Sequence, residues 1–182
     1  MLVGKWINDK YQTASWEREK KFNILTHKLE NANSFVENLS IQMYERWYYS
    51  KRLISNIDDK GKFYELWDEY FETVTNWNRT LPYNKIKVKR LAGEEVASML
   101  DVLSEDEKRA DIPKSIAARF ADLHNKGLLG LRRWVKYDSI ALKKAAIDSI
   151  SKSSDTLNDS IDRFIDSLDQ RIDELEESQL NP

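Results

Sequence analysis

The chain contains no cysteine, and that one absence removes disulfides, thiolate metal sites and cysteine nucleophiles together. It also fits a reducing compartment. Proline (3) and glycine (5) are scarce in 182 residues, so few positions break or cap a helix. No stretch reaches the 18 or more apolar residues of a membrane-crossing helix. The N-terminal MLVGKWINDK lacks the apolar region of a signal peptide. The net charge is only −2, which excludes a chain that coats nucleic acid broadly.

Catalytic patterns are as sparse. There are two histidines, His27 and His124. A di-iron site in a helical bundle needs a glutamate three residues before the histidine on two helices, and those positions hold Ile24 and Ala121. No nucleophile elbow, phosphate-binding loop or dinucleotide fingerprint occurs. Glu94-Glu95 and Glu176-Glu177 read as carboxylates on solvated faces, and Gly127 and Gly130 as a turn with tight packing. The expectation is a protein that is not an enzyme and needs neither metal nor cofactor.

What is present is helical periodicity. Phe22, Leu25, Leu29, Ala32, Val36, Leu39, Met43, Arg46, Ser50, Leu53 and Ile57 alternate by three and four residues, the period of a packed long helix. Asp58-Asp59-Lys60-Gly61 reads as the stop, with Gly61 as the C-cap. Phe63, Trp67, Tyr70, Val74, Trp77 and Leu81 repeat the spacing in a second helix, with Leu66 and Phe71 broadening its face. Pro82 is expected to end it, because proline disfavours helix in the residue before it. Residues 83–91 read as loop or helix, 93–103 as a short helix, and Ser104 to Glu107 as a capping box. Pro113 is placed to open a helix running to about Asn125.

A last helix is expected from about 131 to 177, on a frame of Ile140, Ile147, Ile150, Leu157, Ile161, Phe164, Leu168 and Leu175. Ser149 to Ser154 is its weak point. The fold expected is all-α, an elongated helical bundle with long antiparallel first and last helices and shorter helices between them. Its divisions are a juxtamembrane-like helical extension (1–21), the bundle (22–177) and a frayed tail (178–182).

Three groups of residues are candidates for contact. Trp6, Tyr11 and Trp16 lie near Lys5, Lys10, Arg18, Lys20 and Lys21, and Trp6 and Trp16 fall off the apolar seam. Indole rings beside base suit a membrane boundary as well as a protein partner. On the membrane reading, Met1-Leu-Val-Gly would be the end of an anchor. Tyr48, Tyr49, Lys51 and Arg52 interleave aromatic and basic groups as a partner surface. Lys85, Lys87, Lys89 and Arg90 form a basic patch that could pair with the acidic last helix. Residues 1–91 carry 16 Lys/Arg against 12 Asp/Glu, and residues 92–182 carry 13 against 19.

The stretch LAGEEVASMLDVLSEDEKRADI, residues 91–112, resembles the opening of a helix-turn-helix. Glu95, Val96, Ala97 and Leu100 stand where that family places its first-helix core and small residue. The resemblance implies a soluble regulatory protein that binds nucleic acid. Against it, the would-be recognition helix opens on Ser104-Glu105-Asp106-Glu107, three acids that would face phosphates. The function expected from the sequence is therefore a non-enzymatic interaction or scaffold module, cytoplasmic or at the inner face of a membrane. It would work through a protein partner or self-association.

Overall fold

The structure is a computed structural model that describes residues 2–101, 115–137 and 140–180. Within these it describes all side chains but those of residues 2–11, 14, 126, 142, 152 and 178–180. Helix α1 spans Leu2–Ser55 and α2 spans Lys60–Ser98. Helix α3 (Ile116–Asp122) runs into a π-helical segment (Leu123–Leu128) and then into α4 (Leu129–Tyr137). Helix α5 spans Ile140–Leu180. No strand occurs among the described residues.

These pieces form four rods running up, down, up and down. Pairing of α1 with α5 is antiparallel, because Tyr44 meets Asp162, Trp47 Nε1 donates to Ser154 Oγ at 3.2 Å, and Asp58 meets Lys143. Helix α2 also runs against α1, with Arg52 at Glu69 and Thr80 Oγ1 donating to Gln42 Oε1 at 2.9 Å. The third rod, made of α3, the π segment and α4, runs against both α2 and α5. Trp77 packs on Phe120, and Ser153 donates to Asp122 at 3.1 Å.

The heptad seam of α1 points inward as its spacing requires. Val36, Leu39, Met43, Leu53 and Ile57 are buried, and so are the polar seam members Arg46 and Ser50. In α2, Phe63, Leu66, Trp67, Tyr70, Val74, Trp77 and Leu81 are buried, while Phe71 is 53% exposed and is not part of that face. In α5, Ile150, Leu157, Ile161, Phe164, Leu168 and Ile172 are buried, while Ile140 is 82% exposed.

Several boundaries differ from the sequence expectation. Gly61 caps no helix end but lies in the first turn of α2, and Asp59 is the N-cap, accepting from Lys62 N at 3.0 Å. Pro82 lies inside α2 and does not end it. The burial of Leu81, Asn84 and Val88 continues the three-four spacing across the proline, and tertiary packing outweighs one lost backbone hydrogen bond. The break comes instead at Gly93, whose φ of 90° is the left-handed region that glycine tolerates. The third rod starts at Ile116 behind an N-cap at Ser115, later than Pro113 suggested. Gly127 and Gly130 make no turn, and helix continues through both. Helix α5 passes unbroken through Ser149 to Ser154 and reaches Leu180. The capping box at 104–107 and Pro113 fall outside the described residues.

The π segment has a reason in the sequence. Core positions on the third rod run Ile116, Phe120, Leu123, Leu128, Leu131, Val135, with spacings of four, three, five, three and four. The interval of five holds one residue too many for an α-turn. An i→i+5 turn absorbs it and keeps the apolar stripe on the core side.

Candidate interaction surfaces and a buried polar cluster

The bundle is shorter than its first helix. Leu29 is the first residue of α1 that packs against the core, with Ala32 and Phe35 following. Residues 2–28 project beyond it as an arm, on the order of 40 Å at about 1.5 Å per residue. Along the arm, side chains from Ser15 to Lys28 are exposed, except that Leu25 and Thr26 are half-buried. Trp16 is 61% exposed, Phe22 64% and Ile24 48%, against 0–1% for Met43 and Leu39 inside the bundle. Phe22 is the seam residue that outruns its partners. Trp16, Glu19, Lys20, Asn23, Ile24 and His27 line a shallow concavity on one side of the arm. The Lys20 ammonium sits 5.1 Å from the Trp16 ring centroid. Trp6 and Tyr11 lie on the same helix, at positions without described side chains.

Two grooves flank α1 within the bundle. The one against α5 is lined by Asn33, Val36, Glu37, Ser40, Ile41, Tyr44, Ile165 and Asp169. Ile41 is 48% exposed there. Tyr44 donates to Asp162, and burial together with the neighbouring Asp162 and Asp166 carboxylates pushes its phenol up to about 12. The groove between α1 and α2 carries Glu45, Asp68, Glu69 and Glu72 around Phe71.

Helix α5 carries a feature that its apolar frame hides. Asp155, Asp159, Asp162, Asp166, Asp169, Asp173 and Glu176 are spaced four, three, four, three, four and three residues apart. That is an unbroken acidic heptad stripe on one face of a helix. All seven are exposed except Asp162, which is half-buried. Burial raises the Asp169 carboxyl above its ordinary range, and the Asp173 and Asp166 carboxylates raise it further. A stripe that repels itself is favourable ground for a cationic partner.

The predicted partner surface holds together only in part. Arg52 lies over the rings of Tyr48 and Tyr49, 5.6 and 5.7 Å from their centroids, and pairs with Glu69 at 3.3 Å. Lys51 faces the Trp47 ring at 5.4 Å. Tyr49 packs against the core, so Tyr48 is the one ring of the pair that solvent reaches freely. Two of the four cations of the predicted basic patch are paired with acids nearby in the chain. Lys85 pairs with Asp101, Lys89 with Glu94, and Lys87 lies 4.9 Å from Phe35 and 4.8 Å from Tyr83; Arg90 is exposed. Neither pairing is with the last helix. The helix-turn-helix-like stretch enters the structure only to Asp101, and residues 102–112 lie outside the described set.

Inside the bundle, Arg46, Tyr70 and His124 meet at the level of the π segment. The Arg46 guanidinium is 4% exposed, lies 4.4 Å over the Phe120 ring and is beside the Tyr70 hydroxyl. No carboxylate pairs with it among the described residues, and its Nε has no partner. Tyr70 Oη and His124 Nδ1 are 3.0 Å apart, with the rings stacked at 5.7 Å. Burial depresses the Arg46 guanidinium, raises the Tyr70 phenol and lowers the His124 imidazole, and Arg46 lowers His124 further. The sequence marks His124 only as a histidine without the glutamate partner of a metal site. The structure half-buries it and turns it into the core.

A pH dependence follows. The folded-state pKa of His124 lies below that of the unfolded chain, so the unfolded state takes up its proton first. Its contribution to stability is full above the ordinary histidine range and is lost as the pH falls through it. Urea titrations at pH 7.5 and 5 are expected to show this loss in the native chain and a smaller one in His124→Asn. An equal loss in both would exclude His124 as its source.

No group of three or more His, Asp or Glu able to hold a metal occurs among the described residues, and no helix there is long and apolar enough to cross a membrane. No family model, curated protein or solved structure matches the chain.

Proposed function

We infer that the protein is a non-enzymatic helical interaction module, a rod that holds its partner through the N-terminal arm of α1. One observation carries this reading. The bundle closes on itself near Leu29, yet α1 continues through Phe22 and Trp16 with both rings more than 60% exposed. Exposed aromatic rings on one helix, rimmed by charge, have the composition of interface anchors. The alternative, nucleic-acid binding around residues 91–112, draws less support, because Lys85 and Lys89 are already paired with acids.

Anionic membrane is the second counterpart whose chemistry fits the arm, since Trp16 stands beside Lys20 and Lys21 follows. Both counterparts meet in one experiment on the double variant Trp16→Ala, Phe22→Ala. Light scattering and co-sedimentation with anionic vesicles are expected to show an association that the variant loses, with its urea midpoint unchanged. Surface truncations of this kind stay within about 0.5 kcal/mol. A native chain that neither self-associates nor binds vesicles, or a variant that behaves identically, would end this reading.

A further inference from the structure

We propose that the partner of the arm is a second copy of this chain, docked with its own arm in the acidic α1/α5 groove of the first. This rests on the arm being the contact and adds what it contacts. Three observations support the pairing.

The first is charge. Between Ser15 and Lys28 the arm carries Arg18, Lys20, Lys21 and Lys28 against Glu17 and Glu19. From Asp155 to Glu177, α5 carries nine carboxylates against two arginines. Helix α1 is continuous, so within one copy Trp16 to Lys21 stand beyond Leu29, where packing on the core begins, and away from Asp162 to Asp169, which lie level with residues 33–44. A second copy brings them together.

The second is apolar surface. The groove floor contains Val36, Ile41, Tyr44 and Ile165, with Ile41 48% exposed. The arm presents Trp16 and Ile24 on the side of its shallow concavity, with Lys20 between them. Each surface is a strip along a helix, and both lie on the same α1, the arm immediately preceding the groove.

The third is symmetry. Two α1 helices laid antiparallel, with a two-fold axis crossing between His27 and Asn33, set residues 16–27 of each copy against residues 33–44 of the other. Both arms then fill both grooves, and the contact closes as a two-fold dimer with nothing left over to propagate. Asp162, Asp166 and Asp169 stand along that groove, near Tyr44 and Glu37. Residues 15–44 of α1 with 162–173 of α5 supply the roughly 20–30 residues a side of a standard interface.

The geometry sets a charge-exchange test on the full chain. One variant reverses the arm (Lys20→Glu, Lys21→Glu), the other the groove (Asp166→Lys, Asp169→Lys). All four positions are exposed, so both variants are expected to fold, which circular dichroism checks. In a dimer of the native chain, of mass near twice 21.5 kDa, sedimentation equilibrium should show a dissociation constant at least about tenfold larger for each variant alone. Like charges then face each other in both contacts. Mixing the two variants restores opposite charge in both contacts, and a heterodimer of near-native affinity is expected. A dimer that neither variant weakens, or a mixture that stays monomeric, overturns the proposal. A native monomer whose arm binds anionic vesicles overturns it too, while leaving the arm as the contact. A native chain that binds neither itself nor vesicles removes both readings.

Discussion

Trp77→Ala is expected to cost about 3–5 kcal/mol, the loss typical of a large aromatic removed from a core. Trp77 is 1% exposed, and its ring centroid is 5.4 Å from that of Phe120. Phe120 in turn lies under the Arg46 guanidinium. Truncating Trp77 opens a void where α2 meets the third rod, beside a buried charge that no carboxylate among the described residues holds. A single domain has about 5–15 kcal/mol of stability in total, so the variant should sit close to unfolding at room temperature. Urea denaturation followed by circular dichroism measures the change directly. Trp16→Ala, compared at a protein concentration low enough for the chain to be monomeric, supplies the control, with a shift expected inside about 0.5 kcal/mol. The two residues are the same type in one chain, and only the presence of a neighbouring helix separates them. Similar costs at both positions would mean that the arm is packed in solution.

Gly127→Ala should destabilise by about 1–3 kcal/mol, the range for overpacking a core, although alanine replaces glycine in a helix with a gain of about 1 kcal/mol when space allows. A Cβ at Gly127 would come 2.3 Å from Ile150 Cγ1 on α5. That atom is at the root of a β-branched side chain and has little freedom to move. One turn on, a Cβ at Gly130 would come 3.1 Å from Ala146 Cβ, so both glycines set how closely the third rod approaches α5. In an Ile150→Ala background the obstructing atoms are gone, and Gly127→Ala should become neutral or stabilising. That change of sign is the diagnostic. A neutral effect in the native background would mean that the rods are spaced more widely than the structure has them.

Much of the bundle was legible because helical burial is periodic. The three-four spacing picked out Arg46 and Ser50 as inward-facing in spite of their polarity, and both are buried. It picked out six aromatic and aliphatic residues from Phe63 to Leu81, all buried. It erred where a local signal was given more weight than packing. Pro82 and the serines of 149–154 are weak helix formers, but a face already committed to the core carries the helix past them. It also missed two patterns that were there to be read. The five-residue interval between Leu123 and Leu128 marks the π segment, and the seven acids from Asp155 to Glu176 keep a strict heptad.

By itself, then, the sequence determined that the chain is helical, which faces are apolar, and that no cysteine chemistry is possible. These are properties of residue order along one helix, set by a repeat of 3.6 residues per turn. Only the tertiary structure decided which apolar residues are covered. Phe22 and Met43 belong to one seam, with the same spacing and the same chemistry, yet one is 64% exposed and the other fully buried. The difference lies in the lengths of other helices, since packing against the core begins only at Leu29. In the same way, His124 is a polar residue near a glycine until Tyr70 and Arg46 arrive from two other helices, and burial, with the Arg46 charge adding to it, then lowers its pKa. Contacts between distant segments depend on where each helix stops, and no local pattern encodes that.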